Sequence, residues 1–259
     1  MQFKNSQVQH LRRLLADRAV RAEHAEFVVE GPVATAEAVQ AGFVCRAQFI
    51  AQGSGSSIDG AGEVIELAPG VLERVGSTKQ PQAPITIVEQ RAVDVSSLLV
   101  SSRFAVVLDR VGDPGNLGTI MRSSEAAGAD VLVLTPGSVD AYNPKVVRAS
   151  AGAIFHIPVA VAEIEAVAEA GIELIGTSSH DAPGRSVEAH VDADLTGRIG
   201  VVMGNEAAGL PEEWDDDHGP VRRWVTIPHQ GRSESLNVAM AATVIVFEAA
   251  RQRNEAEQA

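Results

Sequence analysis

Residues 104–109, Phe104-Ala105-Val106-Val107-Leu108-Asp109, run almost directly into Gly112-Asp113-Pro114-Gly115-Asn116-Leu117-Gly118-Thr119-Ile120-Met121-Arg122. Five apolar residues in a row read as a strand buried on both faces, the state of strands in a parallel sheet. The Gly-rich segment after them is a loop, and Thr119 to Ala127 reads as a helix stopped by Gly128. Downstream the alternation continues. Val131–Leu134 is a strand, Pro144–Ala149 a short helix, Ile154–Val159 extended, and Ala162–Ala170 a helix ended by Gly171. Glu173–Gly176 and Ile199–Met203 are strands that each enter a polar loop, and Val225-Thr226-Ile227-Pro228 is the last strand. Strands alternating with helices imply an α/β fold with a mainly parallel sheet covered on both faces.

Upstream lies a smaller α/β unit. Val8, Leu11, Leu14 and Leu15 recur at helical spacing, with Arg12, Arg13 and Arg18 off that face. Phe27 to Glu30 is a strand, Pro32 opens a helix to Gln40, and Phe43 to Ala51 is a second strand. A Gly/Ser loop over 52–62, a strand at Val64–Leu67, a short helix at Pro69–Val75 and a strand at Pro84–Glu89 complete a βαβαβ unit of about 90 residues. The expected division is therefore a small domain over 1–95, a linker over 96–103 with little periodicity, and a larger domain over 104–259. The final helix, from Leu236 to about Arg251, is apolar almost all round and reads as buried, in the core or at a subunit interface.

The chain has 259 residues with 45% hydrophobic content, enough for a buried core. No apolar run reaches the ~18 residues of a membrane span, and the first 20 residues lack the features of a secretory signal. One cysteine, Cys45, rules out a disulfide framework or a cysteine zinc site and reads as a small buried hydrophobe. The expectation is a soluble cytoplasmic protein. Its formal charge of −13 counts against wholesale phosphate binding, but net charge governs solubility and steering, and a local patch can still be basic. His10, Arg12, Arg13, Arg18 and Arg21 cluster near the start, and Arg222, Arg223 and Arg232 lie around a late loop.

Two further stretches share the character of the first loop: Gly204-Asn205-Glu206-Ala207-Ala208-Gly209-Leu210 and Ser235-Leu236-Asn237-Val238-Ala239. Each combines small residues, which let a ligand approach the backbone, with a few orienting polar side chains. Ligands bind at the carboxyl ends of strands in α/β sheets, so the three loops are expected to build one composite site. The familiar alternatives fail in detail. The first loop has glycines spaced G-x-x-G-x-x-G, Pro114 removes a backbone donor, and Asp130 precedes its strand, all against a dinucleotide fold. Gly231-Arg232-Ser233-Glu234-Ser235 lacks the closing glycine of a nucleophile elbow. His229, a possible base beside it, reads more simply as a loop histidine, and His180 and Asp181 have no second histidine at metal-ligand spacing. No phosphate-binding Walker loop is present. Arg122, one helical turn beyond the first loop, is the strongest candidate for chemistry, with Asn116 and Glu206 as companions.

Taken in order, the three motifs resemble those of the SpoU/TrmH branch of the SPOUT methyltransferases, which methylate the ribose 2′-hydroxyl of RNA with S-adenosylmethionine. Phe27-Val28-Val29-Glu30-Gly31-Pro32 resembles the entry to that family's small L30e-like RNA-binding domain, and Arg148-Ala149-Ser150-Ala151-Gly152-Ala153-Ile154-Phe155 the middle of its catalytic domain. The resemblance spans residues 10 to 250. It implies a SPOUT sheet with a C-terminal trefoil knot, preceded by the L30e-like domain, and a homodimer packed through the knot region. It implies a donor pocket built by Thr177, Ser178, Met203, Gly204, Gly209, Leu210, Ile227, Pro228 and Leu236. Arg122 would take the hydroxyl proton or stabilise the developing alkoxide, with Asn116 and Glu206 holding the loops and Ser235 and Asn237 orienting hydroxyl or donor. Arg12, Arg13, Arg18 and Arg21 would grip RNA, and no metal is required. His229-Gln230 after Pro228 departs from the family pattern. The function implied is 2′-O-methylation of 23S ribosomal RNA. Transfer RNA as substrate, or a non-catalytic RNA-binding or ribosome-assembly role, stands as the alternative.

Overall fold

The computed structural model describes residues 5–178, 187–215, 219–232 and 235–258. In chain order the first elements are α1 (Ser6–Ala16), α2 (Arg18–His24), β1 (Glu26–Glu30), α3 (Pro32–Gln40), β2 (Cys45–Ala51), β3 (Glu63–Leu67), α4 (Leu72–Val75) and β4 (Ile85–Glu89). There follow α5 (Val95–Ser101), β5 (Phe104–Leu108), α6 (Pro114–Ala126), β6 (Val131–Leu134), α7 (Pro144–Ala149), β7 (Val159–Val161), α8 (Ile164–Glu169) and β8 (Glu173–Thr177). The last are β9 (Val187–Ala189), β10 (Ile199–Met203), β11 (Val221–Thr226) and α9 (Val238–Gln258). The chain forms two compact units, one of Met1–Ala92 with Asp140–His156, the other of Val93–Val139 with Ile157–Ala259.

The first unit holds a four-stranded sheet in the order β1-β4-β2-β3. It is mixed: β4 runs antiparallel to β1 and β2, and β2 runs parallel to β3. Val8, Leu11 and Leu14 of α1 are fully buried in its core with Phe49, Ile65, Leu67 and Ile85, as the helical spacing predicts. Asn5 caps α1 through its side chain, and Asp17 caps α2 in the same way, so the chain turns between two helices where the sequence suggests one. Residues 140–156, which the sequence places in the larger domain, pack within this unit. The rings of Tyr142 and Phe155 pack tilted against Phe27, with centroids 4.9 and 6.4 Å away, and α7 lies on β1. Ala153–Phe155 is one turn of 3-10 helix where an extended segment is expected.

The second unit is built on a seven-stranded sheet, ordered β7-β6-β5-β10-β8-β11-β9, and every pair is parallel. β5, β6 and β10 are buried along their whole length, which is why they read as unbroken apolar runs. From β5 the chain moves outward to β6 and β7. It then returns to the other side, where β10 later inserts between β5 and β8. The direction in which successive connections travel therefore reverses at the β5/β10 pair, and ligands in such sheets bind beyond the carboxyl ends of the strands.

The segment over 96–103 is not featureless: Val95–Ser101 forms α5, capped by the Asp94 side chain, with Leu99 buried. α6 also begins five residues earlier than its apolar spacing suggests. Asp113 accepts a bond from Asn116 N at 2.8 Å as N-cap and Pro114 occupies the first turn. β11 starts at Val221, earlier than expected, and α9 starts at Val238 but runs on to Gln258. One face of α9 is buried through Ala239, Ala242, Ile245, Val246 and Ala249, packed on α6 and β10. Its opposite side is not buried as expected: Met240, Val244 and Phe247 are 65, 39 and 47% exposed. Among the described residues no helix is long and apolar enough to cross a membrane.

Candidate active site

A cleft of about 610 Å³ opens at the carboxyl ends of β8, β10 and β11. That volume lies within the range of roughly 300–1,000 Å³ usual for small-molecule sites. Its lining includes Thr177, Ser178, Met203, Gly204, Gly209, Ile227 and Leu236, seven of the nine residues expected to hold a donor. Leu210 and Pro228 are not in the lining, although each adjoins a lining residue in sequence. Leu210 packs instead against the apolar cluster that contains Trp214 and Trp224. Glu206, Ser235 and Asn237 of the expected catalytic set also face the cleft, together with Asn205 and His229.

The wall nearest β10 is a reversal that only glycine permits. Asn205 and Gly209 form an isolated antiparallel bridge, which folds residues 204–209 back on themselves. A Cβ at Gly204 would lie 2.4 Å from the carbonyl carbon of Gly209, and Gly209 itself adopts φ +69°. The first position has no room for a side chain and the second has a left-handed backbone that disfavours one. Asn205 pins the reversal: its Oδ1 accepts the backbone N–H of Ala207 and Ala208, each at 3.0 Å, and its Nδ2 donates to Arg110 O at 2.8 Å. The Gly204–Leu210 motif is expected from sequence as a ligand loop, whereas the role of Asn205 within it is not. Its signal was present in the Gly-Asn-Glu order, since asparagine can accept within its own turn and donate away from it.

Three loops distant in sequence converge on Asn116. Its Nδ2 donates to Glu206 Oε1 at 3.0 Å, and its Oδ1 accepts from Asn237 Nδ2 at 3.0 Å. Asn237 meanwhile caps α9, with Oδ1 accepting from Ala239 N at 2.9 Å. Glu206 accepts three further bonds, from Gly112 N at 3.2 Å, Asp113 N at 3.1 Å and Asn205 Nδ2 at 3.5 Å. Partial burial works to raise the Glu206 pKa. The Asn116 amide and the backbone N–H groups outweigh it and hold the carboxyl below its ordinary value. Glu206 is thus a carboxylate at neutral pH, fixed by donors from the first loop.

Arg122 sits on α6, exposed, outside the lining of the cleft, and among the described residues it makes no hydrogen bond or ion pair. Asn116 and Arg122 are six positions apart on one helix, which puts them on different faces. The same helix thus holds the loops together with one side and presents a cation with another. Ser233 and Glu234 of the elbow-like stretch, and His180 with Asp181, lie outside the described residues.

In the first unit Arg12, Arg13 and Arg18 are exposed on α1 and α2. Arg21 is not available for RNA. It is 3% exposed, with Nε donating to Asp140 Oδ2 at 2.7 Å and Nη1 to Leu14 O at 2.6 Å. It faces inward because its guanidinium is taken up by the Asp140 carboxylate and the Leu14 carbonyl, both within the same unit.

A parallel α/β sheet with a composite cleft at the carboxyl ends of its strands, walled by backbone turns and oriented amides, is the class of scaffold that holds a small-molecule ligand. The family model described as the SpoU rRNA methylase family matches residues 103–247, and one described as the MRM3-like substrate binding domain matches residues 5–86. The chain is 33% identical over 273 residues to a 23S rRNA (uridine(2479)-2′-O)-methyltransferase of Streptomyces viridochromogenes, covering 96% of this chain and 91% of that one. Among solved structures, the SpoU methyltransferase AviRb of Streptomyces viridochromogenes in complex with AdoMet superposes with a TM-score of 0.83 at 33% identity, covering 97% of this chain and 99% of that one. The AdoMet-bound rRNA methyltransferase of Sinorhizobium meliloti gives 0.82 at 30% identity, covering 97% of each. The chain belongs to the SpoU rRNA methylase family.

Proposed function

We propose that this chain is an S-adenosylmethionine-dependent methyltransferase that modifies a ribose 2′-hydroxyl of 23S ribosomal RNA in the cytoplasm. The observation that carries this reading is the Asn116 junction, which unites the three family motifs around a cleft of cofactor size. When bound, S-adenosylmethionine supplies a methyl group on a sulfonium, so that the hydroxyl oxygen gains the methyl, the C–S bond breaks and a proton is released.

The residues present fit such a ligand. Gly204 and Gly209 let it approach the backbone, Ile227, Leu236, Val238 and Ala241 offer apolar surface for a base, and Thr177 and Ser178 close the wall at β8. Asn116, Glu206 and Asn237 are positioning residues that keep the loops in register, and Ser235, which lines the cleft, would orient hydroxyl or donor. Arg122 supplies the charge. A guanidinium remains protonated in nearly all protein settings, so its part is to stabilise the developing alkoxide or seat a phosphate. Positioning two reactants supplies much of what the transfer needs, because the donor is already activated.

The first unit would hold the RNA, a reading supported by its match to a substrate-binding domain model and by exposed Arg12, Arg13 and Arg18. In this reading residues 1–95 are the RNA-binding domain and 104–259 the catalytic one. The exposed apolar stripe on α9 supports a homodimer; sedimentation of the unsubstituted chain as a monomer would remove it, and sedimentation of a Phe247→Asp chain as a dimer would move the interface away from α9. The insertion of β10 between β5 and β8, with α9 packed back on α6, supports the knotted C-terminal passage; a crystal structure whose backbone trace pulls straight from its ends would remove it.

Calorimetry with S-adenosylmethionine is expected to show saturable binding, and its absence at millimolar ligand would sink the enzyme reading. Mapping ribose methylation in cells with and without the gene is expected to reveal one lost site in 23S RNA. A site lost from transfer RNA instead would replace the substrate proposed.

A further inference from the structure

His10, His24 and Glu26 come from three elements of the first unit, namely α1, the last position of α2 and the first position of β1. Their side-chain donor atoms nevertheless all lie within 4.8 Å of one another. His10 Nε2 is 2.6 Å from Glu26 Oε2, and the His24 ring stands edge-on to that of His10 with centroids 4.7 Å apart. Ala25 between them adopts φ +50°, a left-handed conformation uncommon for a residue with a side chain. That turn brings residues 24 and 26, which would face opposite ways in a strand, to the same side.

The three groups differ in how well they are used. His10 and Glu26 satisfy each other, but among the described residues neither ring nitrogen of His24 has a hydrogen bond. An imidazole placed against a second imidazole and a carboxylate, with a nitrogen left over, has the donor set of a zinc-class cation. Two histidines and one glutamate are a known zinc ligand set, completed by a water or another ligand. Zn–N and Zn–O bonds of about 2.0–2.1 Å place tetrahedral ligand atoms about 3.3 Å apart. The short His10–Glu26 contact would open slightly, the longer separations would close, and side-chain rotation covers both. A separate cleft of about 380 Å³ runs alongside, lined by His10 and Glu26 with Gln7, Arg46, Phe49 and Glu63. It offers an entry path and room for the fourth, exchangeable ligand.

We propose that His10, His24 and Glu26 form a binding site for one divalent transition-metal ion of the zinc class, which ties α1 and α2 to the start of β1. The bland alternative is a hydrogen-bonded His–Glu pair with a neighbouring ring for company. The two separate on His24, which is exposed and bonded to no described residue, so its replacement leaves the fold in place.

The test uses the full chain, free of any affinity tag and stripped with chelator, titrated with zinc chloride by calorimetry and with cobalt chloride by visible absorption. One ion per chain is expected, with cobalt d–d bands of a low-coordinate nitrogen and oxygen site. His24→Ala and Glu26→Gln are each expected to weaken binding by roughly tenfold or more and to remove the gain in melting temperature that zinc gives. Should Glu26→Gln unfold, His24→Ala alone decides. No uptake of either ion by the unsubstituted chain, or uptake that His24→Ala leaves unchanged, overturns the proposal.

Discussion

Asn237 Nδ2 donates to Asn116 Oδ1 at 3.0 Å across 121 positions of sequence, and the same asparagine caps the last helix with its Oδ1. Both atoms of one amide are therefore committed, one to starting α9 and one to the first loop. Aspartate at 237 could cap but could not donate, which is a physical reason for asparagine there. Asn116 repeats the device, accepting from Asn237 and donating to Glu206. Cleft shape thus depends on two amides rather than on any single loop.

Replacing Asn116 by alanine removes both bonds at once. One of them serves a carboxylate, so about 2–3 kcal/mol of positioning is lost, roughly 30- to 150-fold in kcat/KM. Asn116→Asp is expected to be worse, because it sets a second negative charge against Glu206. A methyl-transfer assay with radiolabelled donor, alongside a melting curve to exclude unfolding, reads the effect.

At Gly204 even one methyl group is too many. The added Cβ meets Gly209 and Leu210 backbone, which cannot rotate away as a side chain could. Gly204→Ala is expected to cost about 1–3 kcal/mol of local overpacking and to weaken donor affinity at least roughly fivefold. Calorimetry with S-adenosylhomocysteine measures it, and unchanged affinity would show that the reversal does not shape the donor site.

The Glu206 carboxyl lies below its ordinary value of 4.5 when folded. A depressed folded pKa contributes stability that is present above the unfolded pKa and is lost as pH falls through the folded one. The unsubstituted chain is therefore expected to melt higher than Glu206→Gln at neutral pH, with the gap closing as pH drops below about 4.5. A gap that stays constant from pH 7 to 3 would remove the carboxylate from the account.

Arg122→Ala is expected to abolish transfer while donor affinity stays within about twofold, since the side chain is outside the cleft lining. Arg122→Lys keeps the charge but not the planar fork, and is expected to restore only a small part of the activity. Loss of donor binding in either variant would make the arginine structural.

Two arginines of the first unit should part company. Arg21→Ala strands Asp140, whose side chain is 14% exposed, and is expected to cost about 3 kcal/mol, roughly 6–12 °C in Tm. Arg12→Ala and Arg13→Ala should leave Tm alone and each lower the salt slope of RNA binding by about 1. Filter binding at several salt concentrations tests the second half.

Much of the catalytic unit is legible in sequence. Val131–Leu134 and Ile199–Met203 have the strand boundaries that their apolar runs indicate, because strands buried on both faces tolerate no polar interruption. The glycine turn at 204–209 and the amide at 237 are legible too, since local backbone demands select those residue types. Element ends held by caps are less so. α6 begins at Pro114 because Asp113 accepts the Asn116 N–H, a bond that hydrophobic spacing does not register.

What the chain by itself determined is the alternation of elements, the three loops and the family they mark, all properties of residues close in sequence. Tertiary structure alone decided which side each element turns outward. Arg21 is inward because residues 140–156 pack in the first unit, and α9 shows Met240 and Phe247 because α6 covers only its other side. It also decided that His10, His24 and Glu26 meet and that one asparagine joins three loops. Those outcomes depend on partners up to 121 positions away, which folding brings within 3 Å and no local pattern encodes.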